Sequence, residues 1–365
     1  MKEYISNRQL AFYLFSAIVG YGIIGLPKAL TEASGTAAWI TIILATTLAL
    51  FITYIILYIN YTFKNKTFDE YINIITNKSI GKILILVYII YFYTFSVLSI
   101  RNTGEIIKAN FLVKTPQWII FLLLISICTY TANKGLSVIA RMCELYGVFI
   151  ILFTFITHII MFFNGKLINI QPILGFRNIF SYIKDIPKAI MPFLGMELLL
   201  IIPLNKKNEK KQLFKYSSYM MIIIGLLYIL IVESTLSIIG LDDIIHYEDA
   251  LIAAIRRVDI TYLDFFGRVD GISLITWLMS VYTTATIYTY ASGFLTQRLL
   301  KIKNCRIIYV LLFMLSIPLN TLIKTSFEID KLLRFSEYLG IFCSVVIPFI
   351  IFIVIKVEKY DKKYK

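Results

Sequence analysis

The chain has 365 residues, 59% of them hydrophobic and only 16% charged. A soluble protein carries roughly a quarter of its residues as charges, and here the apolar residues gather in runs of about 20, the helix length that a bilayer core about 30 Å thick requires. This excludes a soluble domain, the lack of period-two alternation disfavours a β-barrel, and the net charge of +14 must be read against membrane topology first.

Ten spans are predicted, at 8–31, 36–61, 80–108, 116–132, 136–163, 187–204, 212–238, 271–297, 305–323 and 335–356. The first is not a cleavable signal, because no small-residue site follows a short apolar core. With the N-terminus placed in the cytoplasm, 22 of the 36 Lys and Arg residues fall inside and 13 outside, with Arg101 within a span. That asymmetry is the positive-inside rule. It accounts for the basic charge as interfacial anchoring, so no nucleic-acid partner is expected. The C-terminus is cytoplasmic on the same count.

The first span contains Gly20-Tyr21-Gly22-Ile23-Ile24-Gly25-Leu26-Pro27. The spelling matches a dinucleotide fingerprint, but no strand precedes it and no acidic residue follows at the required distance. Gly costs about 1 kcal/mol and Pro about 3 kcal/mol inside a helix, and freed backbone is tolerated in a membrane only in protein or beside a wet cavity. The span is therefore expected to unwind. Its backbone amides then suit a carboxylate, and its carbonyls an ammonium or a cation. Close helix packing at the small residues is the other reading.

In the third span Arg101 and Glu105 share a helical face and are expected to pair, as a gating or structural ion pair. Arg141 and Glu144 in the fifth are expected to form an interfacial pair, and His158 to be a satisfied core or interface residue. The outer loop 164–186 carries Gly165, Pro172 and Gly175 and reads as largely irregular. The sixth span, "PKAIMPFLGMELLLIIPL", holds Pro192, Gly195 and Glu197 at mid-membrane. A carboxyl at that depth is a functional candidate, either for ligand contact or as a hydrogen-bond partner of freed backbone. Glu233, near the outer end of the seventh span, is expected to reach water.

The outer loop 239–270 shows Leu251, Ile255, Val258, Tyr262 and Phe265 or Phe266 at helical spacing, which predicts a short amphipathic helix across the outer face. In the eighth span Thr284 and Tyr288 share one face, as packing glue or as site residues. The four cysteines lack metal-ligand spacing and form no disulfide framework. No catalytic motif, cofactor motif or metal cluster is legible, so neither an enzyme nor a cofactor is expected.

Two sets of five spans imply an inverted repeat, with halves at roughly 8–163 and 187–356 in a single transmembrane domain covering 1–365. Matched breaks in the first and sixth spans are the sequence pointer to a binding site in such folds.

The N-terminal "SNRQLAFYLFSAIVGYGIIGLP" and the sixth-span "PFLGMELLLIIPL" resemble the B-subunit (permease-like) family of bacterial spore germinant receptors, within the amino-acid/polyamine/organocation transporter superfamily. The resemblance covers essentially the whole chain. It implies an all-α fold with broken first and sixth helices, and a small germinant, commonly an amino acid, as ligand. By position, the ligand would meet Gly22, Ile23, Ile24 and Gly25, the middle of the third span near Ser96, then Gly195, Met196 and Glu197, and Thr284 with Tyr288. It also implies a receptor complex with a membrane A subunit and a lipoprotein C subunit, in the spore inner membrane. An ion- or proton-coupled amino-acid transporter, and an assembly subunit without ligand binding, are the competing expectations.

Overall fold

The computed structural model describes residues 5–174, 179–205, 207–258 and 269–360. Among them every regular element is a helix. The first span is two helices, α1 (Asn7–Ile18) and α2 (Leu26–Ser34), around a 3-10 turn at Tyr21–Ile23. A capping box at Ser6 and Gln9 starts α1, which satisfies two of its orphan amides. Val19, with an extended backbone, ends it, and its N–H donates to the Phe15 carbonyl. Pro27 lies in the first turn of α2, where its missing N–H costs nothing.

The remaining helices are α3 (Ala38–Thr62), α4 (Phe68–Ile75), α5 (Lys78–Asn110), α6 (Gln117–Ala132) and α7 (Leu136–Asn164), then α8 (Ile179–Ile190), α9 (Lys210–Ile239), α10 (Leu241–Ile244) and α11 (Ala250–Arg256). The chain ends with α12 (Val269–Leu300), α13 (Cys305–Leu322), α14 (Ser326–Ile341) and α15 (Ile347–Val357). Six described helical stretches are long and apolar enough to cross a membrane. Large apolar side chains stay exposed around the bundle, among them Phe51, Leu123, Phe155, Leu226 and Phe335. Helices that are apolar on every face fit a lipid surround.

The sixth span departs from the expected boundaries. Its first half, α8, begins eight residues before Pro187, so Pro187 lies inside the helix. Loop 164–186 is thus less irregular than its Gly and Pro content suggests. A 3-10 turn at Leu167–Ile170 fills part of it, and Gly175 lies outside the described residues. After the break, the second half is a 3-10 helix, Met196–Ile201, and not an α-helix.

The two broken spans pack together at the centre. Gly195 has φ +120°, and a Cβ there would lie 2.5 Å from the Ala17 carbonyl oxygen. Only glycine permits that backbone and that approach. α1 is enclosed by α7, α9 and α12, while α3 packs against α9 and against Met196–Ile201. A π turn at Phe342–Val346 joins α14 to α15. The Cys343 carbonyl within it accepts a 2.7 Å hydrogen bond from the Tyr88 hydroxyl.

Candidate functional site

The breaks free backbone carbonyls, and side chains of neighbouring helices take them. Thr284 on α12 donates from Oγ1 to the Ser16 carbonyl at 2.6 Å. Tyr228 on α9 donates to the Pro192 carbonyl at 2.8 Å and reaches that of Ile18 at 3.4 Å. Asn60 donates to Leu199, and Tyr71 to Leu200. A carbonyl left unpaired at this depth would cost several kcal/mol, on the order of the transfer penalty of a peptide group. These hydroxyls and amides are what make the breaks stable.

The amides at the start of α2 have a different setting. Helix geometry leaves the first-turn N–H groups without intrahelical partners, and here Gly22, Ile24, Gly25, Leu26 and Lys28 line a cavity of about 460 Å³. It is walled by the end of α5, by α8 and its following turn, by the α10–α11 connection and by α14 from Ser326 to Glu337. All these ends lie on the face opposite the N-terminus, so the cavity is a vestibule on that face. Five carboxyl groups line it (Glu105, Glu248, Asp249, Asp330 and Glu337), against the two ammonium groups of Lys28 and Lys188.

Of the residues singled out in the sequence, Gly22, Ile24, Gly25 and Thr284 line this vestibule, and so does Glu105. Ile23 faces a smaller cavity of about 50 Å³ with Trp277 and His158, which Ile24 also borders. Ser96, Gly195, Met196, Glu197 and Tyr288 do not line the vestibule. Ser96 donates to the Ala285 carbonyl and shares a 2.7 Å hydrogen bond with Thr289. Met196 is buried beside Thr53. Glu197 is fully buried; its Oε2 accepts from the Gly195 N–H at 2.9 Å, and its Oε1 from Tyr91 at 2.9 Å and Tyr288 at 3.2 Å. Of its two expected roles, the structure displays the hydrogen-bonding one.

Arg101 and Glu105 pair at 2.8 Å, and Ser326 of α14 donates to Glu105 at 3.0 Å. Glu144 pairs with Arg8 at 2.9 Å instead of with Arg141. Its reach across to α1 is a tertiary matter that spacing along α7 does not reveal. His158 is buried and shares a 2.7 Å hydrogen bond with Ser234. Glu233 is buried too, against the expectation that it reaches water. The predicted helix on the vestibule face is α11, which buries Leu251, Ile252 and Ile255. Tyr262, Phe265 and Phe266 lie outside the described residues.

Sequence reading missed Phe95, Asn102, Asp330 and Glu337 as vestibule residues, and Tyr91 as a partner of Glu197. Asp330 and Glu337 are seven apart, two helical turns, and could have been found by that spacing. Tyr91 sits in "YIIYFYTF", where nothing distinguishes it from neighbouring aromatics. Asp249 belongs to the vestibule rim outside the membrane spans. Burial pushes its carboxyl above the usual range, and the 2.7 Å bond from Asn110 with the charges of Arg256 and Lys28 pulls it back. Among the described residues no group of three or more His, Cys, Asp or Glu is placed to hold a metal.

An all-helical bundle with two broken helices meeting below an open vestibule defines the class of membrane transporter folds. The structure is similar to a Na⁺-coupled sialic acid symporter, with a TM-score of 0.70 and 12% identity over 93% of this chain and 77% of that one. It is also similar to Mhp1, a nucleobase-cation-symport-1 family transporter, with a TM-score of 0.63 and 10% identity over 93% and 76%. Within that class, residues 4–329 match the family of spore germination proteins described as spore permeases, and the chain belongs to that family. Its relatives include spore germination protein A2 of Bacillus subtilis (strain 168), 28% identical over 353 residues, 94% of this chain and 93% of that one. Spore germination protein KB of the same organism is 25% identical over 307 residues, covering 83% and 80%.

Proposed function

We propose that this protein is the germinant-sensing membrane subunit of a spore germination receptor. The ligand binds at the vestibule floor, with an amino acid as the fitting class. The observation that carries this reading is that the residues opening α2, Gly25, Leu26 and Lys28, line the vestibule. First-turn amides and the positive end of the helix suit a carboxylate. The acidic walls suit the ammonium group of the same molecule. Gly22, Ile24, Gly25 and Thr284 would touch the ligand, and Ser96, Gly195, Met196, Glu197 and Tyr288 would hold the floor from behind.

Binding would shift an equilibrium between conformations of the bundle, with Arg101 and Glu105 as a gating pair tied to α14 through Ser326. The family resemblance supports action beside a membrane A subunit and a lipoprotein C subunit in the spore inner membrane, and the Lys and Arg asymmetry supports both termini being cytoplasmic. The resemblance also supports treating 1–365 as one permease-like domain.

The test is Gly25→Leu. Gly25 has φ −80° and open space around its Cβ position, so the larger side chain folds and enters the vestibule. Spores carrying it should accumulate the protein and lose the response to an amino-acid panel. A normal response would defeat the site assignment. Likeness to two symporters favours one second reading, coupled transport of the ligand. Uptake of radiolabelled amino acids by the purified protein in liposomes would establish that reading instead.

A further inference from the structure

Glu197 has a setting that its part in the break does not require. Its Oε1, the Tyr91 hydroxyl and the Tyr288 hydroxyl form a triangle with sides of 2.9, 3.2 and 3.2 Å. An ionised carboxylate leaves two protons for three edges. Whichever way the two hydroxyls turn, one edge then pairs two oxygens with no hydrogen between them. A protonated Oε1 supplies the third proton. Each oxygen then donates once and accepts once around a closed ring, while Oε2 accepts from the Gly195 N–H.

The surroundings agree. The titratable groups near Glu197 are Tyr13 from α1, Tyr88 and Tyr91 from α5, Tyr288 from α12 and Cys343 from the π turn. α3, on the other flank, has no charged residue and sends Thr53 to Met196 and Asn60 to Leu199. None of the ion pairs among the described residues includes Glu197. A buried carboxylate without a cation neutralises by keeping its proton.

The ring also stands between two cavities. Phe95, which lines the vestibule, lies against Tyr288 with ring centroids 4.5 Å apart. In the other direction the Tyr13 hydroxyl is fully buried, has no hydrogen-bond partner, and lies in the electrostatic neighbourhood of Glu197, Tyr290 and Tyr309. Tyr290 and Tyr309 line a cavity of about 320 Å³ on the N-terminal face.

We propose that Glu197 is a proton-binding site: it holds a proton in the ring with Tyr91 and Tyr288, and exchanges it with the N-terminal-face cavity by way of Tyr13. On release the proton passes to water in that cavity, and the carboxylate left behind accepts from Tyr91, Tyr288 and the Gly195 N–H. This does not depend on the identity of the germinant.

The test is infrared spectroscopy of the full-length protein in lipid at neutral pH, with the proton and deuteron as probes. The carbonyl stretch of a buried protonated acid should be present, lost in Glu197→Gln, and shifted in Tyr288→Phe, which keeps the carboxyl and removes one ring member. Tyr13→Phe, which deletes an unpartnered hydroxyl, should retain the band and slow its exchange in D₂O. A wild-type spectrum without the band, or a band unchanged in both ring variants, overturns the site. Wild-type exchange in Tyr13→Phe overturns the route.

Discussion

At the residue scale, glycines of the paired breaks respond to substitution for opposite reasons. Gly195 is held by its own conformation and by the Ala17 carbonyl 2.5 Å from a modest Cβ. Gly195→Ala should cost more than about 1–3 kcal/mol, the price of a forced φ alone, and show as loss of folded protein on thermal unfolding in detergent. Gly25 has neither constraint, which is why its substitution reads function. Thr284 is a third case, since it lines the vestibule and also satisfies the Ser16 carbonyl. Thr284→Val should destabilise the protein by about 1–3 kcal/mol, the range for stranding a buried acceptor. Thr284→Ser should recover most of that in the same assay.

At the element scale, ion pairs sit at both ends of the bundle, between helices at one and within α5 at the other, and burial ranks them. Arg8 and Glu144 link α1 to α7, with the Arg8 side chain 65% exposed. Such a pair contributes less than about 1 kcal/mol, so Arg8→Gln should barely move the unfolding midpoint. Arg101 is only 7% exposed, and its α5 neighbour Glu105 also accepts from Ser326 of α14. Removing one partner of a buried pair costs up to about 3–5 kcal/mol, so Arg101→Gln should lower the midpoint clearly more than Arg8→Gln does. Equal effects from the two variants would contradict this ranking. Arg298 of α12 lies 3.8 Å from Asp69 and 3.7 Å from Glu70, holding α4 to the N-terminal face.

At the scale of the whole molecule, the two faces differ in access. Cys305 is exposed on the N-terminal face, and Ala29 is exposed in the vestibule. In sealed vesicles of one orientation, a membrane-impermeant maleimide should label native Cys305 from one side only. Ala29→Cys, in a Cys305→Ser background, should label from the other side only. The vestibule rim also predicts a pH effect. The fold raises the Asp249 carboxyl above its usual range, so the native state favours its protonated form. That contribution is full below the unfolded-state pKa and is lost as pH rises to the folded value. Asp249→Asn should therefore unfold at a higher temperature than the wild type above this window, with the difference vanishing below it.

The sequence alone determined the membrane class, the positions of most spans and the two helix breaks. Each depends on local facts: apolar run length against bilayer thickness, and the cost of Gly and Pro in a helix. It also placed Arg101 beside Glu105, because residues four apart on one helix are neighbours in any fold. The tertiary structure decided which side chains meet across helices. Glu144 turned to Arg8, Thr284 to a carbonyl of α1, and Glu197 to Tyr91 and Tyr288, away from the vestibule. It also made one vestibule from acidic residues scattered between Glu105 and Glu337. Contacts between helices are set by how the bundle packs, and spacing along one helix carries no record of them.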